Sequence, residues 1–116
     1  MRAIRGAITV ESNTADGICD ATQTLLRHIA ERNRLQPDEI VSVIFSVTQD
    51  LTACFPARAA RDLGWDAPML DVYEMDVPGA LAQCVRVLLH VNRAEHVQHV
   101  YLAGARVLRP DLEETS

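Results

Sequence analysis

The chain contains no lysine: its 11 positive side chains are all arginine, set against 16 acidic ones for a formal net charge of -5. With that balance and no basic stripe, a nucleic-acid partner is not expected, because phosphate backbones need clustered cations. What the absence leaves is a set of planar cationic forks, each able to grip a carboxylate through two bonds and none able to shed its proton on burial. Cysteine is scarce as well. Cys19, Cys54 and Cys84 are odd in number and lack CxxC spacing, so neither a disulfide framework nor a zinc site is predicted, and a reducing cytoplasm is the expected location. No apolar run approaches the length that spans a bilayer, and the opening MRAIRGAITVE meets charge and alternation too soon for a signal peptide. No glycine-rich phosphate loop, Walker pattern or GxSxG elbow is present, and the scattered serines and histidines form no recognisable triad. His96 and His99 have no acidic or cysteine partner at metal-ligand spacing, so no metal site is expected.

What is present describes an ordinary folded domain. The 116 residues are 48% hydrophobic and 23% charged, enough for one core and too few for two. In RAIRGAITV, Ile4, Gly6, Ile8 and Val10 alternate with Ala3, Arg5, Ala7 and Thr9, which predicts a strand with Arg5 on its small-residue face. A helix follows, capped by Asn13 or Thr14 and running to about Asn33, with Ile18, Ala21, Leu25, Leu26 and Ile29 as its apolar stripe. EIVSVIFSV is apolar on both faces and predicts an interior strand. FPARAARDLG predicts a short helix with Pro56 in its first turn and Gly64 at its exit. APMLDVYEMDVPG is expected to be extended as far as a turn at Pro78 and Gly79, with LAQCVRVLLHV and HVQHVYLAGARVL as two more strands. The expected fold class is therefore α/β (α+β): a mixed sheet of about five strands with one long and one short helix. One long helix covers one face of such a sheet, so the other face is expected to pack against another copy of the chain.

Arg86 is the residue this pattern does not explain. It stands in the middle of CVRVLLHV, among Cys84, Val85, Val87, Leu88 and Leu89, where a guanidinium needs either an acidic neighbour or an incoming anion. The residues alone leave both open: an ion pair with Glu74, or a ligand site. Arg5 tilts the balance toward a ligand, because a second arginine in a small-residue strand is more positive charge than Glu74 neutralises, and a molecule carrying carboxylates or phosphates would suit the excess.

Four blocks, RAIRGAITVE, TQDLTACFPARAAR, YEMDVPGALAQCVRV and HVYLAGARVLRPDL, resemble the small trimeric α/β type of chorismate mutase, in order and from residue 2 to about residue 112. The resemblance implies a single domain over residues 1–116 with 110–116 a mobile tail, and a trimer with sheets packed centrally, helices outside and active sites between subunits. It implies the pericyclic rearrangement of chorismate to prephenate in aromatic amino acid biosynthesis, with no cofactor and no metal. By the same resemblance Arg86 meets the ether oxygen and a carboxylate, Arg5 and Tyr101 hold the side-chain carboxylate, and Glu74 accepts the ring hydroxyl. Phe55, Ala57, Arg58 and Leu70 correspond to the pocket wall with Arg61 nearby, and Leu108 and Arg109 to a closing C-terminal segment. A non-catalytic trimeric carboxylate-binding or regulatory protein, or an enamine-hydrolysing enzyme of the same architecture, is the alternative.

Two departures from that pattern stand out. Asp71 occupies a position, three residues before Glu74, where the family usually has a small neutral side chain. Asp71 is expected either to turn away toward Arg58 or Arg61, or to share a proton with Glu74. The connection VNRAEHVQHVYL is shorter than usual, which should trim an exposed loop and leave the site alone.

Overall fold

A computed structural model describes residues 1–115 as a five-stranded mixed sheet in the order β3-β2-β4-β1-β5. The strands are β1 (Arg2–Thr9), β2 (Ile40–Val47), β3 (Met69–Tyr73), β4 (Cys84–Val91) and β5 (Val100–Leu102), with helices α1 (Ala15–Asn33) and α2 (Pro56–Asp62) between them. β4 lies at the centre, antiparallel to both β1 and β2, while β5 and β3 close the edges by parallel pairing to β1 and β2. The interior position expected for residues 40–47 is thus observed, and so are both helices.

Alternation sorts every strand into two faces. Ile4, Ile8, Val43, Phe45, Val47, Val85, Val87, Leu89 and Val100 point to the helix side, where they pack with Ile18, Leu25, Leu26 and Ile29 of α1 and with Ala57, Ala60 and Trp65. Gly6 is the point of closest approach. A Cβ there would come within 2.9 Å of Ile29 and 3.0 Å of the Val100 carbonyl, so only glycine lets α1 and β5 both close on β1. α1 starts where Thr14 Oγ1 accepts from Gly17 N at 2.9 Å. Asn13, the other candidate cap, instead accepts from the amides of Thr52 and Ala53 and so ties the approach to α2 onto the start of α1.

The opposite face carries Arg5, Ala7 and Thr9 of β1, Cys84, Arg86, Leu88 and His90 of β4, Ser42, Ile44 and Ser46 of β2, Leu70 and Val72 of β3, and Tyr101 of β5, by their register. Its β5 end is covered by the C-terminal segment: Ala7, Cys84, Tyr101 and Ala105 cluster with Leu81, Leu108 and Leu112. Its β3 end is bare, with Ile44, Leu70 and Val72 exposed.

The last strand is shorter than expected. Only Val100–Leu102 pair with β1; Ala103 then takes a left-handed φ of 53°, and Ala103–Leu108 coil into a 3₁₀ helix. The expected tail at 110–116 forms a further 3₁₀ helix over Pro110–Thr115, and Ser116 lies outside the described residues. No helix among the described residues is long and apolar enough to cross a membrane.

Candidate active site

The register places Arg86 directly opposite Ser46 on one side and Ala7 on the other, with Tyr101 next across from Ala7. Tyr101, Ala7, Arg86 and Ser46 therefore form one row across the open face. Glu74 joins the row from beyond β3. Its amide donates to Val47 O at 2.8 Å, extending the β2–β3 ladder past Tyr73 and keeping the side chain on the side of Arg86.

Arg86 Nε and Glu74 Oε1 are 3.5 Å apart, with the two side chains 30% and 26% exposed. That is an ion pair, yet too long for a hydrogen bond. Arg86 Nε is itself buried and has no hydrogen-bond partner among the described residues, an omission that costs roughly 1–3 kcal/mol for a polar group. Glu74 Oε1 is already engaged by the Ser46 hydroxyl, which donates a hydrogen bond to it. Cys84, one step along β4 on the same face, has its thiol pushed up chiefly by burial, with the Arg86 charge pulling the other way. It is a neutral neighbour of Arg86.

The remaining residues of this half lie toward β5. Arg109 stacks 6.0 Å from the centre of the Tyr101 ring and forms an ion pair with Asp111 at 2.9 Å. Leu108 packs under the same cluster. Arg5 is exposed and has no acid within ion-pair distance among the described residues, and its amide donates to His99 Nδ1 at 3.0 Å. Accepting that bond fixes His99 as the neutral Nε2–H tautomer; burial, followed by the charges of Arg109 and Arg5, holds its pKa down.

A second group of the expected residues lies elsewhere, at the β3 edge. Phe55, Arg58 and Asp71 line a cavity of about 350 Å³ with Cys54, Val72 and Tyr73. The Phe55 ring is 71% exposed at its mouth, a large apolar surface without a cover. Ala57 does not line this cavity: its side chain is buried in the core and its amide donates to Asp71 Oδ1. Leu70 is exposed on the open face beside Ile44, and Arg61 lies outside this cavity, on the outer surface of α2. Along the open face the structure thus pairs Arg86 with Glu74 and gathers Tyr101, Leu108 and Arg109 at the β5 end, with no hydrogen bond or ion pair joining these two groups, or either to Arg5, among the described residues. Phe55, Arg58 and Asp71 share a cavity at the β3 edge that none of the open-face set lines.

Asp71 takes the first of its two expected courses, turning away from Glu74 to the side of Arg58 and Arg61, without an ion pair to either among the described residues. It pairs in register with Phe45 on the helix side of the sheet, whereas Glu74 faces the open side, so the two carboxylates share no proton. Asp71 Oδ1 accepts from Ala57 N at 3.0 Å, at the start of α2, and Arg61 acts on it only as a nearby charge. Burial is the larger influence and raises its pKa.

Several residues here were not singled out from sequence. Ser46 has the plainest signal, since Ser42 and Ser46 are the polar side chains of an otherwise apolar strand, two turns of the pleat apart on one face. Cys19 and Cys54, for which no disulfide framework was expected, bring their sulfurs to 3.2 Å while remaining free thiols, and the Cys19 thiol is pushed up to about 11, chiefly by burial. Nothing in their spacing signals this meeting, which depends on how α1 packs against the approach to α2.

Residues 1–112 match the family described as chorismate mutase type I. The chain belongs to that family. It is 44% identical to chorismate mutase AroH of Bacillus subtilis (strain 168) over 120 residues, covering 99% of this chain and 94% of that protein. It is 48% identical to chorismate mutase AroH of Thermus thermophilus over 118 residues, covering 97% of each. Among solved structures, a chorismate mutase from Clostridium thermocellum superposes with a TM-score of 0.90 at 51% identity, over 92% of this chain and 99% of that one. The resemblance of the four blocks and the expected fold class agree with these matches.

Proposed function

We propose that the chain is a chorismate mutase, an isomerase that turns chorismate into prephenate by restraint and electrostatics alone. The observation that carries this reading is Arg86, half-buried with its Nε unpartnered, beside one carboxylate that is already engaged. Such a guanidinium is preorganised for negative charge that has not yet formed.

In the rearrangement the ether bond breaks as the new carbon–carbon bond forms, and negative charge grows on the ether oxygen. Arg86 meets that oxygen. Arg5 and Arg109, with Tyr101 below, take the substrate carboxylates, and Glu74 accepts the ring hydroxyl and offsets the arginine charge. Holding the flexible dianion folded removes rotational freedom before the barrier, a contribution that reaches several kcal/mol in well-oriented intramolecular reactions, up to about 7–11 kcal/mol. Leu108 and Arg109 close the pocket from the C-terminal segment.

The wall formed by Phe55, Ala57, Arg58, Leu70 and Asp71, with Arg61 behind it, is supplied in this proposal by a neighbouring subunit of a homotrimer. Two observations support it. The two groups of site residues are separate within one chain, and the open sheet face leaves Ile44, Leu70 and Val72 exposed. The free thiols of Cys19, Cys54 and Cys84 fit a cytoplasmic enzyme.

Mixing the purified protein with chorismate and following its ultraviolet absorbance tests the reaction; loss no faster than the spontaneous rate would sink it. Light scattering behind a sizing column tests the assembly, with a mass three times the 12.8 kDa chain expected. A catalytically active monomer would overturn the shared site.

A further inference from the structure

Ser46 is the direct ladder partner of Arg86 and a hydrogen-bond donor to Glu74. Both of its neighbours therefore belong to the proposed machinery, and the carboxylate oxygen it engages, Oε1, is the same one that stands 3.5 Å from Arg86 Nε. A free glutamate beside a buried, unpartnered guanidinium N–H should close on it, since a charge-assisted hydrogen bond is the strongest available to either group. Here it does not close. The oxygen is held on the β2 side by a hydroxyl carried on a strand that pairs on both edges, and Arg86 Nε is left without a partner.

We propose that Ser46 is a positioning residue for the rearrangement: its hydroxyl restrains Glu74 within ion-pair distance of Arg86 but short of a hydrogen bond to Nε, so that the guanidinium stays available to the substrate. The assignment rests on the mutase reading above and adds to it the reason why Arg86 is not consumed by its own counter-ion. Ser42 provides an internal contrast. It lies on the same strand and face, but its hydroxyl meets His90 Nδ1 at 3.2 Å, away from Arg86 and Glu74.

Removing the hydroxyl should let Glu74 collapse onto Arg86. The ion pair would tighten, the ether oxygen would lose part of its donor, and the loss would fall on kcat, because the groups that hold the carboxylates are untouched. In steady-state kinetics with chorismate, S46A is expected to lower kcat about ten- to a hundredfold with KM changed by less than about threefold, the range for losing one hydrogen bond to a charged group. S46T, which keeps a hydroxyl on a strand-compatible side chain, is expected to recover most of the activity, and S42A to stay close to the wild type. In an E74A background, where there is no carboxylate to restrain, S46A should cost nothing more.

If S46A misfolds, the isosteric pair S46T and S46V reads the same hydroxyl. An S46A enzyme as fast as the wild type, a loss confined to KM, a full additional loss in the E74A background, or an equal loss in S42A would each overturn the assignment. A wild type that does not turn over chorismate would sink the mutase reading and Ser46 with it, whereas an active wild type with an indifferent Ser46 would sink this inference alone.

Discussion

Arg86 and Arg93 belong to one stretch of chain, β4 and the turn that leaves it, and they are the same residue put to opposite uses. Arg93 has a side chain only 11% exposed and a fork with every arm committed. Its Nε and Nη2 each reach a Glu39 oxygen at 3.0 Å, Nη1 donates to Asn33 O at 2.7 Å, and Nη2 also approaches Arg34 O at 3.4 Å. Glu39 in turn accepts the Gln36 amide at 2.8 Å, closing the network around the end of α1 and the entry to β2. Arg86 is more exposed, sits farther from its acid, and keeps a buried Nε unpartnered. Burial is thus not what distinguishes a site arginine from a structural one. Satisfaction is: the fold completes one fork and leaves the other short, as expected where stability is given up for function.

The comparison is sharpest under substitution. Arg86→Ala is expected to lower kcat by on the order of 10²–10³ or more, the loss typical of one preorganised oxyanion donor, and Arg86→Lys should rescue little because an ammonium cannot reproduce the planar fork. A folded Arg86→Ala enzyme with near-normal turnover would place Arg86 beside Arg93 as a structural cation. Arg93→Met, which keeps the apolar stem but strands Glu39 and two carbonyls, is expected to leave kcat within about twofold and to lower Tm by roughly 5 °C or more. Thermal melts by circular dichroism on Arg93→Met and on a matching Arg86→Met variant test the contrast, and it fails if Arg86→Met loses as much stability as Arg93→Met.

Much of this was legible in the chain and some of it was legible but misread. The strand at residues 2–9 and the long helix show in their periodicity, and Pro56 and Gly64 bracket α2 because proline suits a first turn and Gly64 takes a φ of 89°. The overlong last strand was a different matter: pairing to β1 ends at Leu102 because Ala103 turns left-handed, and alanine gives no warning of that. Asp71 was readable in principle. Residues three apart in an extended segment point to opposite faces, so its odd spacing from Glu74 already argued against a shared proton. The Arg93 network could not be seen, since Glu39 and Asn33 reach it only through the antiparallel pairing of β2 with β4. The two-part site was equally hidden, because membership of a pocket is a property of the assembled surface and not of spacing.

Asp71 supplies the smallest and most discriminating test, since it is a half-buried anion lying between the two extremes. It accepts the Ala57 amide at the start of α2 and feels Arg61, yet burial outweighs both and raises its pKa above the ordinary 3.8. A carboxyl with a folded pKa above its unfolded value favours the fold when protonated. That contribution is full below pH 3.8 and is lost as pH rises through the folded value, so at neutral pH the charge works against stability. Asp71→Asn keeps a carbonyl oxygen for the Ala57 amide and removes the charge. Its Tm is expected to exceed that of the wild type by about 1–3 °C at pH 7, with the gap closing as pH falls toward 4. Asp71→Ala, which loses the acceptor as well, should not share the gain. A less stable Asp71→Asn at pH 7 would mean that the Ala57 amide and Arg61 outweigh burial, and Asp71 would then be a satisfied anion of the Glu39 kind, with the start of α2 pinned by charge and not by a single hydrogen bond.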